Sequence, residues 1–176
     1  MKSIGVPSYV SDGNEADDLI ATLVARGLYS KNAVATIYSS DKDLHQCLIH
    51  KAVRQLTAMR YDYGRYKCDW MTEAMFKERY RIIPAQWIDY RALTGDPSDG
   101  IPGAKGIGGA SASKLLANGM TLDALLGGEV EIPKRLRDMI EAARDMLPTY
   151  RRLIALTTDC KLREVSYREA KVTVAF

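Results

Sequence analysis

No apolar run in the sequence approaches the roughly 18 residues that a membrane-spanning helix needs, and the opening MKSIGVPSYVSDG lacks the apolar core of a signal peptide. A cytoplasmic protein is expected. Histidine is scarce, with His45 and His50 both in a mostly apolar segment where a structural role is expected. Cysteine is scarce too: Cys47, Cys68 and Cys160 are odd in number and irregularly spaced. That pattern excludes a disulfide framework and a C-x-x-C zinc pair, and it predicts reduced, buried thiols. Low-complexity tracts and fixed-period repeats are absent. With 47% hydrophobic and 27% charged residues the chain is neither disordered nor collagen-like, and 176 residues suffice for one domain with a real core. The net charge of +3 is too small to announce a nucleic-acid partner. Its distribution says more, because acids gather at Glu15–Asp18, Asp41–Asp43 and Asp96–Asp99 while bases crowd Lys134–Arg137 and Arg151–Arg152.

Ala16, Leu19, Ile20, Leu23 and Val24 form one helical stripe that Asp12 or Asn14 would cap and Gly27 would end. The β-branched run Ala33–Ser39 predicts a buried strand, with Asp41 capping a short helix over Lys42–Ile49. Val53–Met59 predicts a second strand, and YDYGRY after it a turn or hairpin. Two strands joined by one helical segment suggest a piece of a parallel α/β sheet. Beyond Asp69 the pattern turns helical, over Trp70–Tyr80, Pro84–Thr94, Ala110–Asn118, Thr121–Leu126, Pro133–Met146 and Pro148–Thr158, with KVTVAF as a last strand. Two strands are too few to bury the faces of a sheet.

Each acidic group has a plain structural explanation. Glu15–Asp18 sits at a helix start, where the dipole favours negative charge. Asp41 and Asp43 follow a strand as a cap and an exposed acid, and Asp96 and Asp99 suit a proline turn. Brought into one cleft, however, Glu15, Asp17, Asp18, Asp41, Asp43, Asp96 and Asp99 would repel by about 4 kcal/mol for each pair near 4 Å. Divalent cations would offset that cost. An all-oxygen set favours magnesium or manganese over zinc, and its common use is a pair of ions acting on a phosphodiester.

The glycine run places Gly103, Gly106, Gly108 and Gly109 around Lys105 and Ile107, with helical spacing resuming at Ala112, Leu115 and Leu116. Backbone amides at such a turn cradle phosphate. A helix precedes the turn, which favours a helix-hairpin-helix grip on a DNA backbone over a dinucleotide fingerprint that must follow a strand. Arg60, Arg65 and Lys67, interleaved with Tyr61, Tyr63 and Tyr66, read equally as a DNA contact or an exposed hairpin, and Lys134, Arg135 and Arg137 as a solvated helix face.

Three blocks, SIGVPSYVSDGNEADDLIATL, SSDKDLHQCL and LTGDPSDGIPGAKGIGGASASKLL, resemble in order those of the structure-specific 5′-nucleases, the flap endonucleases and 5′-3′ exonucleases. The resemblance implies an α/β fold in which a partial PIN-like (Rossmann-like) sheet is followed by a helical helix-three-turn-helix region. It implies two Mg2+ or Mn2+ ions, with Glu15 and Asp17 as ligands of the first and Asp18, Asp41, Asp43, Asp96 and Asp99 of the second or bridging set. Asp17, Asp18, Asp41, Asp43, Asp96 and Asp99 are the catalytic candidates; Gly103, Lys105, Gly106, Ile107, Gly108, Gly109, Ser111 and Lys114 are the DNA-binding ones, with potassium at the hairpin carbonyls. Gly100 and Ala110 stand where the family has asparagine and lysine. The family's first acidic strands and helical arch have no counterpart. The chain is therefore expected to be a single incomplete nuclease domain, with an α/β metal-binding part at 1–68, a helical DNA-binding part at 69–176 and the hairpin at 101–117. A separate N-terminal nuclease chain is the partner expected besides DNA.

Overall fold

The structure, a computed structural model, describes residues 7–27, 34–128 and 130–165. Strand β1 (Ser8–Val10) leads to helix α1 (Ala16–Ala25), whose first turn carries Asp17 and Asp18. Glu15 takes the N-cap position expected of Asp12 or Asn14, because Asn14 is engaged by the Ser11 hydroxyl, which donates to its side-chain oxygen at 2.9 Å. Gly27 closes the helix at φ +62, its N–H donating to the Val24 carbonyl.

Strand β2 (Ala35–Tyr38) is followed by a 3-10 helix over Asp43–Ile49, then strands β3 (Val53–Asp62) and β4 (Arg65–Met71). The order is β2-β3-β4, with β2 and β3 parallel, as the sequence suggested, and β3 and β4 antiparallel across a register shift between Leu56 and Ala58. YDYGRY forms the tip of that hairpin, with Tyr61 opposite Tyr66. Trp70 belongs to β4 rather than to a helix; Thr72 instead caps α2 (Glu73–Tyr80), its hydroxyl accepting from Met75 N. Besides β4, which the sequence suggested only as a hairpin, two strands escaped the sequence reading, because three-residue β1 and β5 (Arg163–Val165) pair antiparallel and are too short to show a period. The tail KVTVAF lies outside the described residues.

The helical half comprises α3 (Trp87–Thr94), entered through a 3-10 turn at Pro84–Gln86, then α4 (Gly109–Leu115), α5 (Leu122–Gly127), α6 (Lys134–Ala143) and α7 (Leu147–Ile154). Its core is built from Phe76, Trp87, Leu93, Leu116, Leu122 and Leu147, all at most 1% exposed. A smaller cluster of Ala21, Val24, Ile37, Leu44, Cys47 and Val53 joins α1 to the sheet. Burial of the thiols is confirmed for Cys47 and Cys160, but Cys68 is exposed, since β4 is exposed on both faces from Arg65 to Asp69. Lys134, Arg135 and Arg137 lie exposed on α6 as expected. Among the described residues no helix is long and apolar enough to cross a membrane.

Candidate metal centre and glycine hairpin

Three chain segments deliver carboxylates to one cleft of about 580 Å³, lined by Glu15, Asp17 and Asp18 from the start of α1, Asp41 and Asp43 from the end of β2, and Asp99 from the loop after α3. Leu153–Thr157, at the end of α7, forms the opposite wall. Asp96 stands behind this lining, 5% exposed, yet one oxygen each of Asp43, Asp96 and Asp99 lie within 4.8 Å of one another.

The loop after β2 is held from below by a side chain that periodicity does not single out. Gln55 on β3 is fully buried, and its amide donates to the carbonyls of Ser39 at 2.8 Å and Asp41 at 2.6 Å. Its own oxygen sits 2.7 Å from His45 Nδ1. Because both amide bonds of Gln55 are donated, that contact assigns the proton to Nδ1 of His45. His45, 2% exposed among Phe76, Tyr80 and Trp87, is structural as expected, and burial lowers its pKa, which favours the neutral ring. Asp41 Oδ1 in turn accepts from Asp43 N at 2.9 Å, one residue ahead of the N-cap, which falls on Lys42 rather than on Asp41 because the 3-10 helix starts at Asp43 and not at Lys42.

The carboxylates fall into two kinds. Asp18 is occupied, accepting from Thr157 N at 2.8 Å and Glu15 N at 3.3 Å, so it ties α1 to the far wall of the cleft. Asp96 is occupied as well: Oδ1 accepts from Ser98 N at 3.0 Å and from the Ser98 hydroxyl at 2.5 Å, while Oδ2 pairs with Arg91. Asp43 Oδ1, by contrast, is buried and has no hydrogen-bond partner, as is Arg91 Nε 3.9 Å away. Burial pushes the Asp43 pKa up to about 6, opposed by Arg91 and reinforced by Asp41, Asp99 and Asp17. Burial also raises that of Asp17, with Asp41 beside it adding to the shift. An orphaned carboxylate oxygen among further hard oxygen donors suits a hard divalent cation, so the residues present fit such an ion.

Arg91 is the functional residue that the sequence reading missed. It lies on α3 with 13% side-chain exposure, 5.6 Å from the Trp87 ring, a buried cation facing the acids. A lone basic residue five positions before Asp96 was the available signal, though nothing in the spacing gave its direction.

Beside the acids, the hairpin closes on itself. Asp96 and Ile101 exchange backbone hydrogen bonds at 2.7 and 2.8 Å, and Ala104 N donates to Leu93 O. Gly95 and Gly103 cross so tightly that a Cβ on Gly103 would stand 2.4 Å from Gly95 N. Ile101, Ala104 and Ile107 are buried anchors, leaving Lys105, Gly106 and Gly108 exposed and Gly109 and Ser111 half-buried. Gly106, at φ +89, rests against Met139 of α6. Gly103 is buried, and Lys114 points into a different cavity, with Arg79 and Arg81.

Residues 1–81 match the family described as 5′-3′ exonuclease, N-terminal resolvase-like domain, and residues 82–174 match 5′-3′ exonuclease, C-terminal SAM fold. The chain belongs to the 5′-3′ exonuclease family. The flap endonuclease Xni of Pectobacterium atrosepticum is 36% identical over 161 residues, which cover 91% of this chain and 58% of that protein. The thermostable DNA polymerase I of Thermus thermophilus is 36% identical over 150 residues, covering 85% of this chain and 17% of the polymerase. The chain thus spans just over half of one relative and under a fifth of the other. In fold it resembles the bacteriophage T5 flap endonuclease solved as a pseudo-enzyme-product complex with DNA and metal ions, at a TM-score of 0.64 and 23% identity, over 83% of this chain and 51% of that one. The α/β fold followed by a helical half is therefore a 5′-nuclease fold.

Proposed function

We infer that the chain is the acid-lined, DNA-gripping part of a 5′-3′ exonuclease or flap endonuclease that hydrolyses DNA phosphodiesters. What supports this most is the convergence of six carboxylates from three distant segments on one cleft. Glu15, Asp17, Asp18, Asp41, Asp43, Asp96 and Asp99 would hold two divalent ions, Mg2+ or Mn2+. Such ions would neutralise the attacking and leaving oxygens of the scissile phosphate. The chain's own residues do the rest. Gln55 and the Asp18–Thr157 bond fix the positions of the donors, Arg91 holds Asp96, and the buried anchors of the hairpin present Lys105, Gly106 and Gly108 to a DNA backbone, where potassium would sit at the hairpin carbonyls. In this reading residues 1–68 supply five of the seven acids, and 69–176 supply Asp96 and Asp99 together with the grip, in a bacterial or phage-infected cytoplasm. Because the chain spans 58% of its flap endonuclease relative, full activity is assigned to a nuclease with residues beyond these 176, in the same polypeptide or a partner.

A second reading, a DNA-binding module without hydrolysis, is favoured by the occupied state of Asp18 and Asp96. A labelled 5′-flap duplex, incubated with the chain and magnesium or manganese, with and without a candidate partner nuclease segment, separates the two. Asp99 is the residue to change, because it is exposed and its loss removes no bond described above. Cleavage that disappears in Asp99→Ala while DNA binding persists supports hydrolysis. Binding with no cleavage under any condition leaves the module.

A further inference from the structure

A cationic cavity shares no lining residue with the acidic cleft. The end of α2 and the face of α4 enclose an open cavity of about 650 Å³ whose lining includes Arg79, Arg81 and Lys114 and no acidic side chain. The floor is aromatic. Tyr80 and Tyr90 are half-buried, their rings 5.7 Å apart, and Arg79 lies 5.5 Å above the Tyr80 ring. Ser113 cannot offer its proton to a ligand without giving up its bonds to Tyr80 O and Gly109 O, so recognition there falls to the three cations. Gly109 lets the wall close: a Cβ on it would stand 2.5 Å from the Tyr90 hydroxyl.

Charge and backbone geometry give this cavity a purpose. Lys77 on the same helix is neutralised by Glu73 at 2.5 Å, whereas Arg79, Arg81 and Lys114 make no ion pair among the described residues. Glu78, exposed on α2, does not line the cavity. Arg81 also occupies the left-handed C-cap of α2, at φ 59 and ψ 25. That conformation suits glycine and strains a residue with a Cβ. The chain uses glycine at the corresponding cap of α5, where Gly128 has φ 72 and ψ 16. At the end of α2 it carries arginine instead, a local cost that places a third cation over the tyrosines.

We propose that this cavity is a second phosphate-binding site, in which Arg79, Arg81 and Lys114 hold the sugar-phosphate backbone of the same DNA that the glycine hairpin grips. The proposal rests on the nucleic-acid part of the functional reading and adds a grip on the other face of α4. Guanidinium forks take phosphate oxygens in pairs, and the tyrosine floor accepts sugar or base edges without reading sequence.

Arg81→Gly is the informative variant, because glycine suits the backbone at that position and the fold should keep or gain thermal stability. Fluorescence anisotropy of a labelled flap duplex, titrated with full-length wild type, Arg81→Gly and Lys105→Ala over a salt series, supplies the readout. Removing one phosphate-binding cation lowers the slope of log affinity against log salt by about 0.9, roughly an eightfold weakening at 0.1 M relative to 1 M salt. Arg81→Gly is expected to show that decrease with an unchanged or higher melting midpoint, and Arg81→Gly with Lys114→Ala a larger one. An Arg81→Gly slope equal to wild type overturns the second site, and if Lys105→Ala still weakens binding, the hairpin reading survives alone. Wild type that binds no duplex overturns both.

Discussion

The raised Asp43 pKa makes the metal-free protein respond to acid in an unusual direction. An unfolded aspartate releases its proton near 3.8, whereas the folded one holds it up to about 6. Between those values the folded state binds more protons than the unfolded, so stability falls as pH rises through the window and is lowest above it. A shift of about two units corresponds to about 3 kcal/mol at full strength. The part recovered on going from about pH 7 to about pH 5 is near 1.3 kcal/mol, and solvent in the cleft trims that to about 1. Asp17, raised by burial and by Asp41, adds in the same direction. For a chain of this size about 1 kcal/mol moves the melting midpoint by roughly 2–4 °C.

The assay is thermal unfolding in a chelator at about pH 7, 6 and 5, for wild type and Asp43→Asn. The wild-type midpoint should rise by a few degrees on acidification, while the Asn variant, whose amide carries no titrating proton, should lack most of that rise. Added magnesium or manganese should stabilise wild type near pH 7 and lose its effect near pH 5, because protonated carboxyls do not hold hard cations. A wild-type midpoint that falls on acidification as steeply as that of Asp43→Asn would refute the assignment of Asp43 as a carboxyl whose burial makes it hold its proton.

Two further outcomes follow from the same geometry. Arg91→Met leaves the buried Asp96 without its cation, and should destabilise the chelated protein by about 3 kcal/mol; urea unfolding should show divalent ions restoring more of the variant's stability than they add to wild type, and equal gains would exclude Arg91 as the resident counter-charge. Gly103→Ala would drive a Cβ to 2.4 Å from Gly95 N at φ +67, whereas Gly100→Ala, at φ +69, has nothing within 4 Å. The first should cost more than about 2 kcal/mol and abolish DNA binding, the second about 1 kcal/mol from backbone strain alone; comparable losses in denaturant titrations would remove the tight crossing as the reason for the glycine.

How far the sequence revealed this depends on the kind of signal. Helix α1 was legible because its apolar period is undisturbed and strand β2 because its run is rich in β-branched residues, whereas Asp41 sits one residue ahead of the cap position assigned to it. The hairpin was legible because Gly103 and Gly106 are demanded by backbone conformation, a local requirement written into residue type. Trp70 was misplaced because an aromatic before a capping threonine fits either the end of a strand or the start of a helix. The contacts of Gln55, Arg91 and Thr157 could not be read at all. A buried amide, a guanidinium and a backbone N–H acquire their roles from residues 14, 5 and 139 positions away, and no local pattern records such partners.

The division of the acids into occupied and open ones orders what their removal should do. Asp18 and Asp96 spend their oxygens on Thr157, Glu15, Ser98 and Arg91, so they set the walls of the cleft before any ion arrives. Asp43 keeps a buried oxygen without a partner, and Asp99 is exposed and takes part in none of the bonds described, so these carry the uncompensated charge. Two unit charges about 5 Å apart at an effective dielectric near 20 repel by about 3 kcal/mol, more than one surface ion pair returns. Neutralising an open acid should therefore stabilise the metal-free fold while weakening its hold on a divalent ion. Neutralising an occupied one should destabilise the fold whether or not an ion is present. Asp99→Asn and Asp18→Asn, compared by melting in chelator and then in manganese, put the two against each other. If both variants move the chelated midpoint in the same direction, the acids form one undifferentiated cluster and Arg91 has no special place among them.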